Sequence, residues 1–129
     1  PLFEAYRLAN GMSENPDRTL TFLTNRMRFN ESMFFIAVNE NAQAIGFVQL
    51  YHRLSSLQLQ RYWQLTDIFV KEDKHQTDIY AALISKAKEF VRYTQSNRLV
   101  AELSQAQQSI LEREGFKLNT KKSLFELTL

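Results

Sequence analysis

The sequence predicts an α/β domain built on a mixed central sheet with helices on both faces. Three observations carry that prediction. Residues 62–70 (YWQLTDIFV), 79–93 and 98–103 read as strand, amphipathic helix and strand, a unit whose two strands run parallel with a right-handed crossover. Ahead of it, residues 33–38 (MFFIAV) and 44–53 (AIGFVQLYHR) flank a polar turn and read as an antiparallel hairpin. Before the hairpin the apolar period is helical. A chain of 129 residues is enough for one compact domain and short for two, so residues 1–129 are read as a single domain.

In order, Leu2, Phe3, Tyr6 and Leu8 fall roughly at helical spacing, and Gly11 stands where a C-terminal cap belongs. Asn15-Pro16 then reads as an N-cap followed by proline at the first helical position, with Asp17 suited to the positive end of the dipole. Leu20, Leu23 and Met27 give this second helix an apolar stripe, running to about Asn30. The hairpin follows, then a Ser- and Gln-containing connection over 54–60 and the aromatic and β-branched strand 62–70. Ile79, Ala82, Leu83, Ala87, Phe90 and Val91 line one face of a helix from Asp78 to about Tyr93, with Thr77 or Asp78 as its cap. Residues 98–103 are a strand, 104–114 a short helix ended by Gly115, and 116–118 and 124–129 two closing antiparallel strands.

Composition narrows the function classes. Hydrophobic residues at 44% and charged residues at 23% exclude a disordered chain. The formal net charge of +2, with no basic stripe interleaved by aromatics, argues against nucleic-acid binding. The absence of cysteine excludes disulfides and thiolate chemistry, and two histidines offer no metal-ligand cluster, so no metal is expected. Nothing approaches 18 continuous apolar residues and PLFEAYRLANG lacks a signal-peptide core, so the expectation is a soluble, cytoplasmic protein without a membrane partner.

The element order, together with PLFEAYR, IGFVQLYHRLSS, WQLTDIFV and the closing ILEREGFKL, resembles the GCN5-related N-acetyltransferases (GNAT) over essentially the whole chain, and one bacterial branch in particular. That resemblance implies the acyl-CoA N-acyltransferase fold and direct acetyl transfer from acetyl-CoA to a primary amine of a small molecule or peptide. It also implies a strand ahead of the first helix. Since the sequence starts at Pro1 inside that helix, the expectation is either that residues ahead of Pro1 are missing from it, the favoured alternative on length, or that the sheet has lost an edge. An unpaired edge on that side would favour a homodimer.

In the family, the segment joining strand 62–70 to the next helix grips the pyrophosphate of acetyl-CoA, which implies cofactor contacts from Ile68, Phe69, Val70, Lys74, His75, Gln76, Thr77, Asp78, Ile79 and Tyr80. Glycines there let the backbone approach, and N–H groups at a helix start donate to phosphate oxygens. This loop holds no glycine. The family pattern there is Arg/Gln-x-x-Gly-x-Gly/Ala, and His75, Gln76, Asp78 and Tyr80 fall on its Arg and its glycines, the glycine positions being Asp78 and Tyr80. Lys74 and His75 supply positive charge, whereas Gln76 and Tyr80 add bulk. An Asp78 carboxylate ~4 Å from a phosphate would cost about 4 kcal/mol at an effective dielectric near 20. Leu111 replaces the tyrosine that commonly reprotonates the thiolate, and the connection 104–116 is shorter than in that branch.

Asp67 is the candidate general base, beside Thr66 on the strand whose backbone N–H groups at 68–70 polarise the thioester in the family. A structural carboxylate bonded to backbone or to a tyrosine explains the same residue. Glu102, on the parallel neighbour, is a second candidate. Tyr51, Tyr62 and Trp63 are candidate acceptor-pocket walls, although aromatics at strand spacing are more often core. Arg7 either faces the acceptor groove or makes a helix-surface ion pair, and His52 reads as surface or structural. The competing functional reading is a catalytically degenerate member of the fold that serves as a binding or regulatory module.

Overall fold

The computed structural model describes residues 2–28, 32–101, 107–118 and 125–128. Helices α1 (Leu2–Ala9) and α2 (Pro16–Arg28) precede strands β1 (Ser32–Val38), β2 (Ala44–Ser55) and β3 (Gln60–Val70). Helix α3 (Gln76–Tyr93), strand β4 (Leu99–Ala101) and helix α4 (Gln108–Arg113) complete the order. The sheet runs β1-β2-β3-β4. The first two pairings are antiparallel and β3–β4 is parallel, as a helical crossover requires.

Alternation along the strands sorts side chains to two faces. Val48, Leu50, Leu65, Ile68 and Val70 bury themselves against Leu83, Ile84, Ala87 and Val91 of α3, with Ile110 and Leu111 of α4 alongside. The opposite face carries Phe34, Phe47 and Phe69. Phe3 and Tyr6 of α1 cover it, with ring centroids 5.1 Å (Phe3–Phe47) and 5.8 Å (Tyr6–Phe69) apart.

Gly11 (φ 80°) and Gly115 (φ 94°) adopt the left-handed conformation where α1 and α4 stop, as their positions predicted. Asn15 caps α2, its Oδ1 accepting from the Arg18 N–H at 3.3 Å.

Four expectations are corrected. The cap of α3 is His75, and the helix begins at Gln76 rather than Asp78. The Asp73 carboxylate accepts the His75 N–H and its carbonyl accepts that of Gln76, so the loop winds into the helix two residues early. The stripe on α2 is displaced. Leu20 is 68% exposed, and Leu23 is half-buried as expected, together with Thr19, Asn25 and Arg26. The Met27 side chain lies outside the described residues, and Thr19 is drawn inward by a hydrogen bond to Glu4. The helix expected over 104–114 is helical from Gln108 to Arg113, and residues 104–106 lie outside the described residues. Finally, residues 116–118 and 125–128 carry no regular secondary structure, whereas closing strands were expected at 116–118 and 124–129. The strand expected over 98–103 spans Leu99–Ala101 among the described residues, and Glu102 and Leu103 lie outside them.

Candidate active site

A single extra residue in β3 builds the site. Gln49 pairs with Asp67 and Leu50 pairs with Leu65, leaving Thr66 unmatched as a β-bulge. Leu65 faces α3 and is fully buried. Strict alternation would send Asp67 into that same apolar core, where an unpaired carboxylate is costly. The bulge reverses the phase. Ile68 and Val70 take the core face, and Asp67 turns to the α1 side.

There the carboxylate meets two hydroxyls. Tyr6 of α1 donates to Asp67 Oδ1 at 2.6 Å, and Thr66 donates to Oδ2 at 2.6 Å. Burial first, then the hydrogen bond to Asp67 and its charge, push the Tyr6 phenol well above its ordinary range. Tyr6 is therefore a lasting donor at neutral pH. Tyr51 is shifted the same way, by burial and then by the Asp67 charge. Its oxygen accepts from the buried amide of Gln49 at 3.1 Å.

Asp67 opens into a cleft of about 520 Å³ between α1, α2 and β3. Phe3, Tyr6 and Asp67 line one side, and Arg18, Thr19 and Phe22 the other. Glu4 ties the two helices together. It accepts from the Thr19 hydroxyl, from the Asn15 N–H at 2.9 Å and from Arg7 at 3.3 Å. Those bonds, the Thr19 hydroxyl's foremost, hold the Glu4 carboxyl below its ordinary 4.5. A depressed carboxyl stabilises the fold above its ordinary pKa, and that share is lost as pH falls through the lowered value. We therefore expect Glu4→Gln to melt with a shallower dependence on pH below 4.5 than the parent. Parallel acid limbs in a melting series would show that the carboxylate contributes nothing there.

The second half of the site is backbone. Lys71 donates to the Ile45 carbonyl at 2.8 Å. Antiparallel alternation then points the polar groups of Phe69 toward β2 and those of Ile68 and Val70 away from it. The side-chain amides of Gln107 and Gln76 reach the Ile68 and Val70 carbonyls on that outer side, at 3.4 and 3.0 Å. Among the described residues the β3–β4 ladder spans Trp63–Leu65 against Leu99–Ala101, and Ile68 and Val70 lie beyond that described part. Immediately past Val70 stands the start of α3. Among the described residues its Thr77 and Asp78 N–H groups have no protein acceptor.

This geometry pairs a carboxylate cleft on one side of β3 with an outward-facing strand edge that leads to a helix N-terminus. A family model for the acetyltransferase (GNAT) domain matches residues 14–126. A relative from Haemophilus influenzae, described as a probable acetyltransferase, is 77% identical over 129 residues, which is 100% of this chain and 88% of the relative. The chain belongs to the GNAT family of acetyltransferases. The crystal structure of a probable acetyltransferase matches this GNAT chain with a TM-score of 0.91 at 32% identity, over 100% of the chain and 88% of that one. A predicted acetyltransferase from Clostridium acetobutylicum, solved with acetyl-CoA, shares the fold at a TM-score of 0.74 and 15% identity, over 92% of this chain and 81% of that one.

Within this GNAT fold the residues expected from the sequence separate. Ile68 and Val70 are buried in the core by their side chains and offer backbone alone, while Phe69 packs on Tyr6. Lys74, His75, Thr77 and Asp78 are exposed around the start of α3. Two of the side chains expected to crowd the loop are directed elsewhere. Gln76 folds back onto the Val70 carbonyl, and Tyr80, like Ile79, packs against the core. The bulk expected at the loop from Tyr80 is thus absorbed by packing, and Leu111 is likewise core.

The three aromatics considered as acceptor walls do not come together. Trp63 faces α3, 4.9 Å from Phe90, with His52 packed on it at 5.2 Å. Tyr62 lies under the Arg98 guanidinium, and Tyr51 accepts from Gln49 within reach of the Asp67 charge. Arg7 makes the ion pair with Glu4 and also lines the cleft.

The residue missed in the sequence is Tyr6. Its spacing from Phe3 placed it on the buried face of α1, and a phenol there needs a partner. Among the described residues, no helix is long and apolar enough to cross a membrane, and no group of three His, Asp or Glu side chains is placed to hold a metal.

Proposed function

We propose that this GNAT enzyme transfers the acetyl group of acetyl-CoA directly to an amine bound in the cleft over Asp67. The observation that carries the reading is the bulge at Thr66. It gives one short stretch of β3 a carboxylate on the cleft side and outward-facing backbone groups beside it. The chain's residues suit acetyl-CoA in two respects, the edge of β3 at Ile68 and Val70 and the uncapped first turn of α3. The solved neighbour from Clostridium acetobutylicum carries acetyl-CoA on the same fold.

Acetyl-CoA supplies the activated acyl group. Asp67 holds the incoming ammonium and takes its proton, directly or through one water, so that the neutral amine would attack the thioester carbon. The C–S bond would then break, with CoA leaving as a thiolate that is neutralised by the proton the nitrogen loses on becoming an amide. Each Asp67 oxygen keeps a lone pair after accepting from Tyr6 or Thr66. The N–H groups of Ile68 and Val70 act as electrophilic donors. Those of Thr77 and Asp78, with Lys74 and His75 beside them, favour an anion.

Thermal unfolding with and without acetyl-CoA tests the cofactor half. At about 100 times its dissociation constant, ligand stabilises by about 2.7 kcal/mol, or on the order of 10 °C for a domain of this size. A cooperative melt that does not move at millimolar acetyl-CoA would favour the binding-module alternative instead.

A further inference from the structure

We propose that the acceptor is an apolar amine that also carries a carboxylate, with Arg18 as the residue that selects for it. The inference deepens the acetyl-transfer reading and rests on it. The cleft has three kinds of wall. Asp67 provides an anion for the amine. Phe3, Phe22 and Met12 provide an apolar surface, and Phe22 and Met12 remain 49% and 54% exposed. Apolar side chains held open around a carboxylate suit an acceptor with an apolar body rather than a polyamine.

The third wall is cationic. Arg7 is occupied, its guanidinium donating to Glu4, to the Ser13 carbonyl and to Thr19. Arg18 differs. Among the described residues its guanidinium has no hydrogen-bond or ion-pair partner, and its backbone N–H alone is engaged, at Asn15. It also stands in the first turn of α2, where the helix dipole disfavours a cation. Helix stability therefore does not account for it, whereas a ligand carboxylate in the same cleft would meet the guanidinium. Amine at Asp67, apolar body on Phe3 and Phe22, and carboxylate at Arg18 describe an amino acid or the amino terminus of a short peptide.

The test compares acetylation of L-phenylalanine, phenethylamine, spermidine and the dipeptide Phe-Ala, with acetyl-CoA binding measured separately by calorimetry. We expect kcat/KM for the better of the two carboxylate-bearing acceptors to exceed that for phenethylamine by about 10- to 100-fold, the range of a charge-assisted pair. Spermidine should be poorest. Preference for phenylalanine over Phe-Ala assigns the carboxylate to a free amino acid, and the reverse assigns it to a peptide. Arg18→Ala should collapse the preference toward one, chiefly through KM, and Arg18→Lys should retain part of it. Equal use of phenylalanine and phenethylamine by the parent, or a preference unchanged in Arg18→Ala, overturns the acceptor assignment while leaving acetyl transfer standing. Acetyl-CoA that fails to bind overturns both.

Discussion

Asp67→Asn is expected to lower kcat by about 10²- to 10⁴-fold, the range for a positioned general base. An amide keeps the shape of the carboxylate and one acceptor oxygen, but it cannot take a proton. The hydroxyls of Tyr6 and Thr66, each 2.6 Å from the carboxylate, still find acceptors or reorient, so the fold should survive. A melting curve checks that the loss is chemical. Tyr6→Phe separates the two roles of the pair, because it leaves the carboxylate and removes one donor, so a smaller loss is expected. The Tyr6 phenol is held protonated by burial and by Asp67, which removes it as a base at neutral pH. An Asp67→Asn enzyme within threefold of the parent would mean that the carboxylate only positions Tyr6, as the structural reading of Asp67 holds.

The parallel unit around α3 was legible because it is written twice, once as a helical apolar period and once as β-branched strands on either side. The hairpin was legible for the same reason. Placement of the site was not. The phase break in β3, with Leu65 and then Ile68 and Val70 buried, is visible in WQLTDIFV only if the bulge is already suspected, since Leu, Ile and Val suit either phase. Asp67 could be proposed from its residue type, but its face could not.

The Tyr6–Asp67 bond joins residues 61 positions apart, and no local rule reaches that far. On α2 the apolar pattern misled, because one hydrogen bond between Thr19 and Glu4 outweighed the pull of Leu20 toward the interior. At the α3 loop, side-chain identities suggested crowding. The fold answered by sending Gln76 to a strand carbonyl and Tyr80 into the core. What remains beside the start of the helix is the exposed Asp78.

Gly46→Val should be the most damaging conservative change in the sheet, and its effect should reach the cofactor side. Gly46 pairs with Val70 across the β2–β3 ladder, on the face covered by α3. A Cβ there would lie 3.1 Å from the Phe69 carbonyl oxygen, 3.2 Å from Val70 Cγ2 and 3.4 Å from Leu83 Cδ1. The leucine tip can yield, but the carbonyl is fixed by the ladder. Strand propensity alone favours valine over glycine, so the sign of the result decides between propensity and contact. We expect contact to win, at about 1 kcal/mol for Gly46→Ala and about 3 kcal/mol for Gly46→Val. The valine variant should then melt on the order of 10 °C lower. Relief requires β3 to shift against β2, because the two closest contacts are the Phe69 carbonyl and Val70. That displaces the end of β3, at Ile68 and Val70, from the first turn of α3 at Thr77 and Asp78, the two places where our proposed reading puts acetyl-CoA. The stabilisation given by saturating acetyl-CoA should therefore shrink in the same order, parent, alanine, valine. A valine variant that melts low yet keeps the full ligand shift would show that the helix start and the strand edge do not act as one site.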